Sequence, residues 1–308
     1  MRALIAGGSG LIGRALTHEL LRTGHGVTVL SRRATSIALP SGARALQWDG
    51  RTLSGWKDKL EDTDAVFNLA GESIPGAGLL PLRWTSKKKK RIRASRVDSG
   101  RVLAGAISMA ERKPTVFIQV SAVGYYGPLG AQAVTESQPA GNDFLASVCQ
   151  DWEASTADVE AHGVRRAVAR IGMPLSIAGG VLPRLALPLR MFVGGRLGSG
   201  RQYFPWIHMA DTAGALRFLI EHDDARGIFN ISAPEPVTNA EFTRALAHEL
   251  RHPYWLPVPG LAFRVLFGEM ATMLLSGQRA LPQHLQACGY TFQYPDLGAA
   301  LEGLMSAQ

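Results

Sequence analysis

The sequence predicts an α/β protein: a doubly wound, parallel, Rossmann-like sheet carrying a small, mostly helical domain on its substrate side. Two patterns point there. Short apolar runs alternate with helical stretches through the first 170 or so residues, and Gly7, Gly10 and Gly13 fall where the first strand gives way to the first helix. Length agrees, since 308 residues hold one large α/β unit and a smaller addition.

The strands read in order as "RALIA" (2–6), "GVTVL" (26–30), "ARALQW" (43–48), "AVFNLAG" (65–71), "TVFIQVS" (115–121) and "VRRAVARIG" (164–172), about six before residue 172. Between the first two lies "LIGRALTHELLRTG", an amphipathic helix. A long helix is expected from about Ser86 to Ala110, and another through "NDFLASVCQDWE" (142–153). Past residue 172 the pattern loosens into Gly- and Pro-rich cap segments, with "GIFNIS" (227–232) as a further strand. "TNAE" (238–241) has the Thr-x-x-Glu spacing of a capping box, so a helix should run from near Asn239 to about Arg251. The dinucleotide-binding unit is thus read as 1–240, with its core sheet in about 1–172, and the small C-terminal domain as 241–308.

Hydrophobic residues make up 46% of the chain, yet no apolar run reaches the length of a membrane span, and the start lacks the regions of a signal peptide. Cys149 and Cys288 lie far apart without metal or disulfide spacing, which with the plain start suggests a cytoplasmic protein. A net charge of +8 favours anionic partners, and much of it sits in "RWTSKKKKRIRASR" (83–96). That run lacks the interleaved aromatics of a nucleic-acid reader and reads as a solvated helix face, so neither nucleic acid nor membrane is expected as a partner. Oligomeric state is not legible.

The glycine pattern carries the most chemistry. Gly7 permits a tight turn, Gly10 lets backbone approach a pyrophosphate and Gly13 allows close packing, while the amides of Leu11, Ile12 and Gly13 open the helix toward an anion. After the second strand comes "LSRR" (30–33). An NAD site wants a carboxylate there for the ribose hydroxyls, whereas Ser31, Arg32 and Arg33 suit a 2′-phosphate, so the expected cofactor is NADP(H). Asp49 is placed to accept from the adenine amino group, and Leu69, Ala70 and Gly71 of "NLAG" to let the chain pass close to the cofactor ribose. "HELRH" (248–252) matches a zinc pattern, but Pro253 pushes His252 off helical geometry and no third ligand is evident, so no metal is expected.

The glycine motif, "LSRR", "NLAGESI", "SAVGYYG", "DFLASVCQDWE", "LGSGRQYFPWIH", "APEPVTNAEF", "LFGEMA" and "LLSGQRALP" together resemble the atypical and extended short-chain dehydrogenase/reductases. The similarity is to their epimerase-like branch, labelled nucleotide-sugar epimerase-like or cell-division-inhibitor-like, which carries a C-terminal domain of unknown function. It covers nearly the whole chain. It implies a Ser or Thr that polarises the substrate oxygen, a Tyr that passes the proton and a Lys that lowers the Tyr pKa. Aligned on "YYG", Ala122 stands at the Ser/Thr position with Ser121 one residue before it; aligned through Glu153, which resembles the glutamate trailing the family's lysine, Leu145 and Cys149 stand at the Tyr and Lys positions, and another register puts Phe144 and Val148 there. The usual relay is absent, so replacement acids or bases are sought among Tyr125, Tyr126, Ser121 and Glu136. By the same resemblance Arg170, Arg196, Arg201 and Trp206 cover the substrate pocket, and so many guanidinium groups suggest a polar, anionic small molecule. Two functions follow as expectations: an NADP(H)-dependent oxidoreductase or epimerase, or an NADPH sensor that acts through a protein partner.

Overall fold

The computed structural model describes residues 1–74, 76 and 83–306. Seven parallel strands form the central sheet: β1 (Arg2–Ala6), β2 (Gly26–Ser31), β3 (Arg44–Gln47), β4 (Ala65–Asn68), β5 (Val116–Ala122), β6 (Arg165–Ile171) and β7 (Gly227–Ile231). Their order is β7-β6-β5-β4-β1-β2-β3. The order reverses between β1 and β4, which opens a crevice at the carboxyl ends of the strands where dinucleotide folds bind their ligand. All six early strands of the sequence reading are present, and "GIFNIS" supplies the seventh. Strands β1, β4 and β5 are buried almost throughout, because helices cover both faces of a parallel sheet.

Helices α1 (Leu11–Arg22) and α5 (Met209–Glu221) pack on one face, and α2 (Ser86–Met109) and α3 (Phe144–Ala154) on the other. Helix α2 begins where Thr85 accepts a hydrogen bond from Lys88 N, and α3 where Asp143 accepts from Ala146 N. Each cap satisfies an amide that the helix itself leaves without a partner. Inside the sheet, Asn68 donates to Gln119 at 3.0 Å and Thr156 donates to the same oxygen at 3.0 Å, so these buried polar groups are paired.

The remaining elements build the cap: α4 (Leu182–Arg190), α6 (Asn239–Glu249) and α7 (Gly260–Phe267), followed by short turns and a last helix, Leu297–Ser306. The expected capping box is formed in full, with Thr238 and Glu241 exchanging bonds. Helix α6 stops at Glu249, and Arg251 takes the left-handed conformation with φ of 55°. His252 therefore leaves the helix and stacks near Phe192 with ring centroids 4.8 Å apart, while His248 points into solvent. The two histidines of "HELRH" do not share a helical face.

Candidate functional site

A cavity of about 540 Å³ opens at the carboxyl ends of β1, β4 and β5. One end is the glycine turn. Gly7 adopts φ of 82°, and a Cβ there would lie 2.7 Å from the Leu69 backbone; a Cβ on Gly13 would lie 2.5 Å from Gly8 Cα. Only glycine lets the β1–α1 loop close this tightly. Gly10 precedes α1 without a side-chain cap, and no acidic residue occupies the first turn. Gly10, Leu11, Ile12 and Gly13 all line the cavity, so the positive end of α1 faces it. Leu69 and Gly71 line it too, whereas Ala70 does not, packing against a hydrophobic core cluster and donating its amide to Asn68 Oδ1.

At the end of β2, Ser31 is buried and accepts from Arg33 N at 3.2 Å. Gln47 braces the following turn by donating to Arg32 O and accepting from Ala34 N. The Arg32 and Arg33 side chains are exposed, with no carboxylate partner among the described residues. Asp49 is engaged within its own loop. Its carboxylate accepts from Arg51 N, Thr52 N and the Thr52 hydroxyl, and the backbone bonds to Arg51 and Thr52 hold its pKa below the usual value. It fixes a turn, as aspartates in loops commonly do.

The inner end of the cavity holds Ser121, Ala122, Trp152 and Arg96. Ser121 Oγ and Trp152 Nε1 are buried polar atoms without a formed hydrogen bond, the weak Cys149 thiol being the neighbour of the first. Arg96 escaped the sequence reading. It is half-buried on α2, donates to Glu72 O and Ile92 O at 3.1 Å each, and lies over the Trp152 ring at 5.0 Å. Gly71 makes room for it, since a Cβ there would stand 3.0 Å from Arg96 Cζ. No carboxylate lies within ion-pair distance among the described residues, and burial lowers its pKa. A guanidinium stays charged at neutral pH even so. Cys149 adjoins the same group from α3: burial first, then the Glu153 charge, pushes its thiol up to about 11. A second cavity of about 140 Å³ is lined by Leu145, Val148 and Cys149, whereas Phe144 packs on Trp84. Leu145 and Cys149 of one register and Val148 of the other thus border this smaller cavity, and none of the three borders the larger one.

The other expected catalytic groups lie behind it. Tyr126 is 1% exposed; its hydroxyl donates to Asn230 Oδ1 at 2.7 Å and accepts from Arg170. Burial raises its pKa, although Arg170 works against that. Tyr125 lies under the Arg170 guanidinium, 3.3 Å from ring centroid to Cζ. Glu136 accepts from Asn230 N and His284 N and orders its loop. These three are structural, and only Ser121 of the four borders the cavity.

The four expected substrate-pocket residues are also placed elsewhere. Arg170 pairs in fork geometry with Glu153 at 2.9 and 2.8 Å, with its side chain 1% exposed. Burial opposes its charge, but the Glu153 contacts outweigh that and raise its pKa. Trp206 is fully buried and donates to Glu235 O. Arg196 and Arg201 are exposed and border neither cavity. Around α4, α6 and α7 the cavity is walled by apolar side chains instead, Leu185, Leu189, Leu197, Val258, Phe263 and Met273 among them.

Comparison with known proteins agrees with this geometry. Residues 3–232 match the NAD dependent epimerase/dehydratase family, and residues 258–304 match the Domain of unknown function (DUF1731). The chain is 40% identical over 310 residues to the epimerase family protein SDR39U1 of Bos taurus, covering 99% of this chain and 100% of that protein. It is 41% identical to the epimerase family protein Mb2239 of Mycobacterium bovis, covering 96% and 95% respectively. Among solved structures, human epimerase family protein SDR39U1 (isoform 2) with NADPH superposes with a TM-score of 0.86 at 34% identity, covering both chains fully. With a Rossmann-like fold, a glycine cradle facing the cavity and this similarity along its full length, the chain belongs to the NAD dependent epimerase/dehydratase family.

Proposed function

We propose that this protein is an NADP(H)-dependent oxidoreductase that interconverts a carbonyl and an alcohol. The observation that carries the reading is the continuity of one cavity from the glycine turn, past Ser121 and Arg96, into the cap. A protein that only sensed the dinucleotide would have no use for the second half. The residues present fit the cofactor: the α1 amides and Gly7–Gly13 would hold its pyrophosphate, and the free forks of Arg32 and Arg33 its 2′-phosphate. The human relative solved with NADPH supports the choice of phosphorylated cofactor.

NADPH, when bound, supplies hydride. Hydride addition to a carbonyl leaves an alkoxide, and Arg96 is the cation at the inner end that can carry that charge until water protonates it. It takes the electrostatic place that Cys149 leaves vacant, because a neutral thiol cannot stabilise an anion as an ammonium does. Trp152 orients Arg96 from one side and the Glu72 and Ile92 carbonyls from the other.

The test has two arms. In titrations, NADPH should bind more tightly than NADH, and Arg32→Ala should weaken NADPH by about tenfold, or about 1.4 kcal/mol, with little change for NADH. Equal affinities would overturn the cofactor assignment. In the second arm, NADPH deuterated at the nicotinamide C4, on each face in turn, is incubated with the protein and a panel of carbonyl compounds. Deuterium in a product alcohol is expected; tight NADPH binding with no transfer to any carbonyl would favour the sensor instead.

A further inference from the structure

Building on the oxidoreductase reading, we infer that the substrate is a lipophilic aldehyde or ketone, polar only at its reacting end, and not a nucleotide sugar or another anionic metabolite. The reasoning starts from which side chains could meet a ligand beyond the cofactor. Past Arg96 the described wall is formed by Leu185 and Leu189 of α4, Leu197 and Val258 of the cap loops, and Phe263 and Phe267 of α7. Met173, Met270 and Met273 fill between them, and methionine adapts its shape to an apolar guest.

Two polar side chains interrupt this wall, and both are engaged. The Thr243 hydroxyl donates to Asn239 O at 2.7 Å inside α6. Arg184, at the edge beside Gly76, donates to Gly76 O at 3.0 Å and to Gly180 O at 3.4 Å. A hexose would bring several hydroxyls here, and a uracil or diphosphate still more polar atoms. Among the described side chains of this wall most of them would leave water and meet only the remaining N–H groups of Arg184, and a polar group buried without a partner disfavours binding. The arginines at 170, 196 and 201 cannot help, since one is locked to Glu153 and the others lie outside the cavity.

Among the described residues, the buried polar side-chain atoms without a hydrogen bond are Ser121 Oγ and Trp152 Nε1, and both residues line the inner end together with Arg96. A ligand that matches both halves has one carbonyl at the tip and hydrocarbon behind it. Helix α7 extends the pattern outward: it has no buried residue, turns Phe263 and Phe267 toward the cavity, and leaves Leu261, Val265 and Leu266 75%, 60% and 63% exposed. The roof is therefore apolar on both sides, as suits a passage for hydrocarbon.

The experiment uses the full chain with NADP+ and the aromatic ketone prodan, whose emission shifts to the blue in apolar surroundings. One saturable site with a blue shift is expected, and UDP-glucose up to millimolar concentration should not displace the probe. Phe263→Gln and Met273→Gln should each weaken prodan by about tenfold while leaving the NADPH dissociation constant within about threefold; the preserved NADPH affinity reports that each variant is folded. Displacement by UDP-glucose, absence of a saturable shift, or unchanged prodan affinity in both variants would overturn the inference. The deuterium assay separates the two proposals. Saturable probe binding with no label transfer to any carbonyl would remove the enzyme reading and leave the apolar site standing, whereas label entering a sugar nucleotide would do the opposite.

Discussion

Arg96 shows what residue-level reading can find and what it passes over. The glycine turn was legible because its chemistry demands a fixed spacing beside a strand, and Gly7 and Gly13 have neighbours that exclude any Cβ. Arg96 was hidden in a basic run whose other members include carboxylate-paired cations: Lys88 pairs with Glu72, Lys89 with Glu269, and Arg93 with Asp151. The signal was there as a stripe. Ile92, Arg96, Ser99, Leu103 and Ile107 fall on one face of α2, so an arginine occupies a core-facing position. If it stabilises the developing alkoxide, Arg96→Met should slow deuterium transfer about 100-fold, as removal of one oxyanion-stabilising group does, with the NADPH dissociation constant within about threefold. Arg96→Lys should recover part of the rate, because charge is kept and the fork is lost. An unchanged transfer rate in Arg96→Met would remove Arg96 from the chemistry. Cys149 yields a pH prediction. Because burial and Glu153 push its thiol up to about 11, the thiolate is scarce at pH 8, and iodoacetamide should modify Cys149 only after unfolding in urea. Modification in the folded protein with a midpoint near neutral pH would contradict the buried, neutral thiol.

At the scale of elements, strands and helices followed from periodicity and capping, whereas the destination of several side chains did not. Helix α6 starts at the capping box that "TNAE" implies, since a cap is a local contract between residues three apart. Arg170, by contrast, sits on β6 opposite Ser121 of β5 and could have faced either side of its strand. What decides is Glu153, one helical turn beyond Cys149 on α3, together with Tyr126 after β5 and Asn230 on β7. No spacing in the sequence announces a contact among four separate elements. This network is expected to hold the site's rear wall. Glu153→Gln removes the counter-charge from a guanidinium that is 1% exposed, which should cost about 3–5 kcal/mol in urea unfolding. A loss below about 1 kcal/mol would mean that the pair contributes as little as a surface salt bridge.

For the whole molecule the question is how far the C-terminal part stands apart. The family matches end at residue 232 and resume at 258, on either side of α6. Packing crosses that gap. One hydrophobic cluster joins Leu175, Leu189 and Trp206 to Phe242, Leu246 and Leu301, and the larger cavity takes its walls from both sides. The sequence offered no view of this, because a tail that buries its apolar face on a neighbour has the same periodicity as one that folds alone. A polar tether is Asp211, fully buried on α5, which accepts from the Tyr290 hydroxyl at 3.0 Å, Gln293 N at 2.8 Å and Tyr294 N at 2.9 Å. Asp211→Ala would take that acceptor from three part-buried donors, each loss costing about 1–3 kcal/mol. The expected result is one cooperative unfolding transition, moved down by roughly 6–15 °C for a chain of this size. Prodan binding should weaken with it, since the C-terminal wall of the cavity is released, while the NADPH cradle on β1 and α1 keeps its affinity. Two separate transitions in the native protein, or a variant with unchanged melting temperature, would mean that the C-terminal part folds independently and that the cavity does not depend on its docking through Asp211.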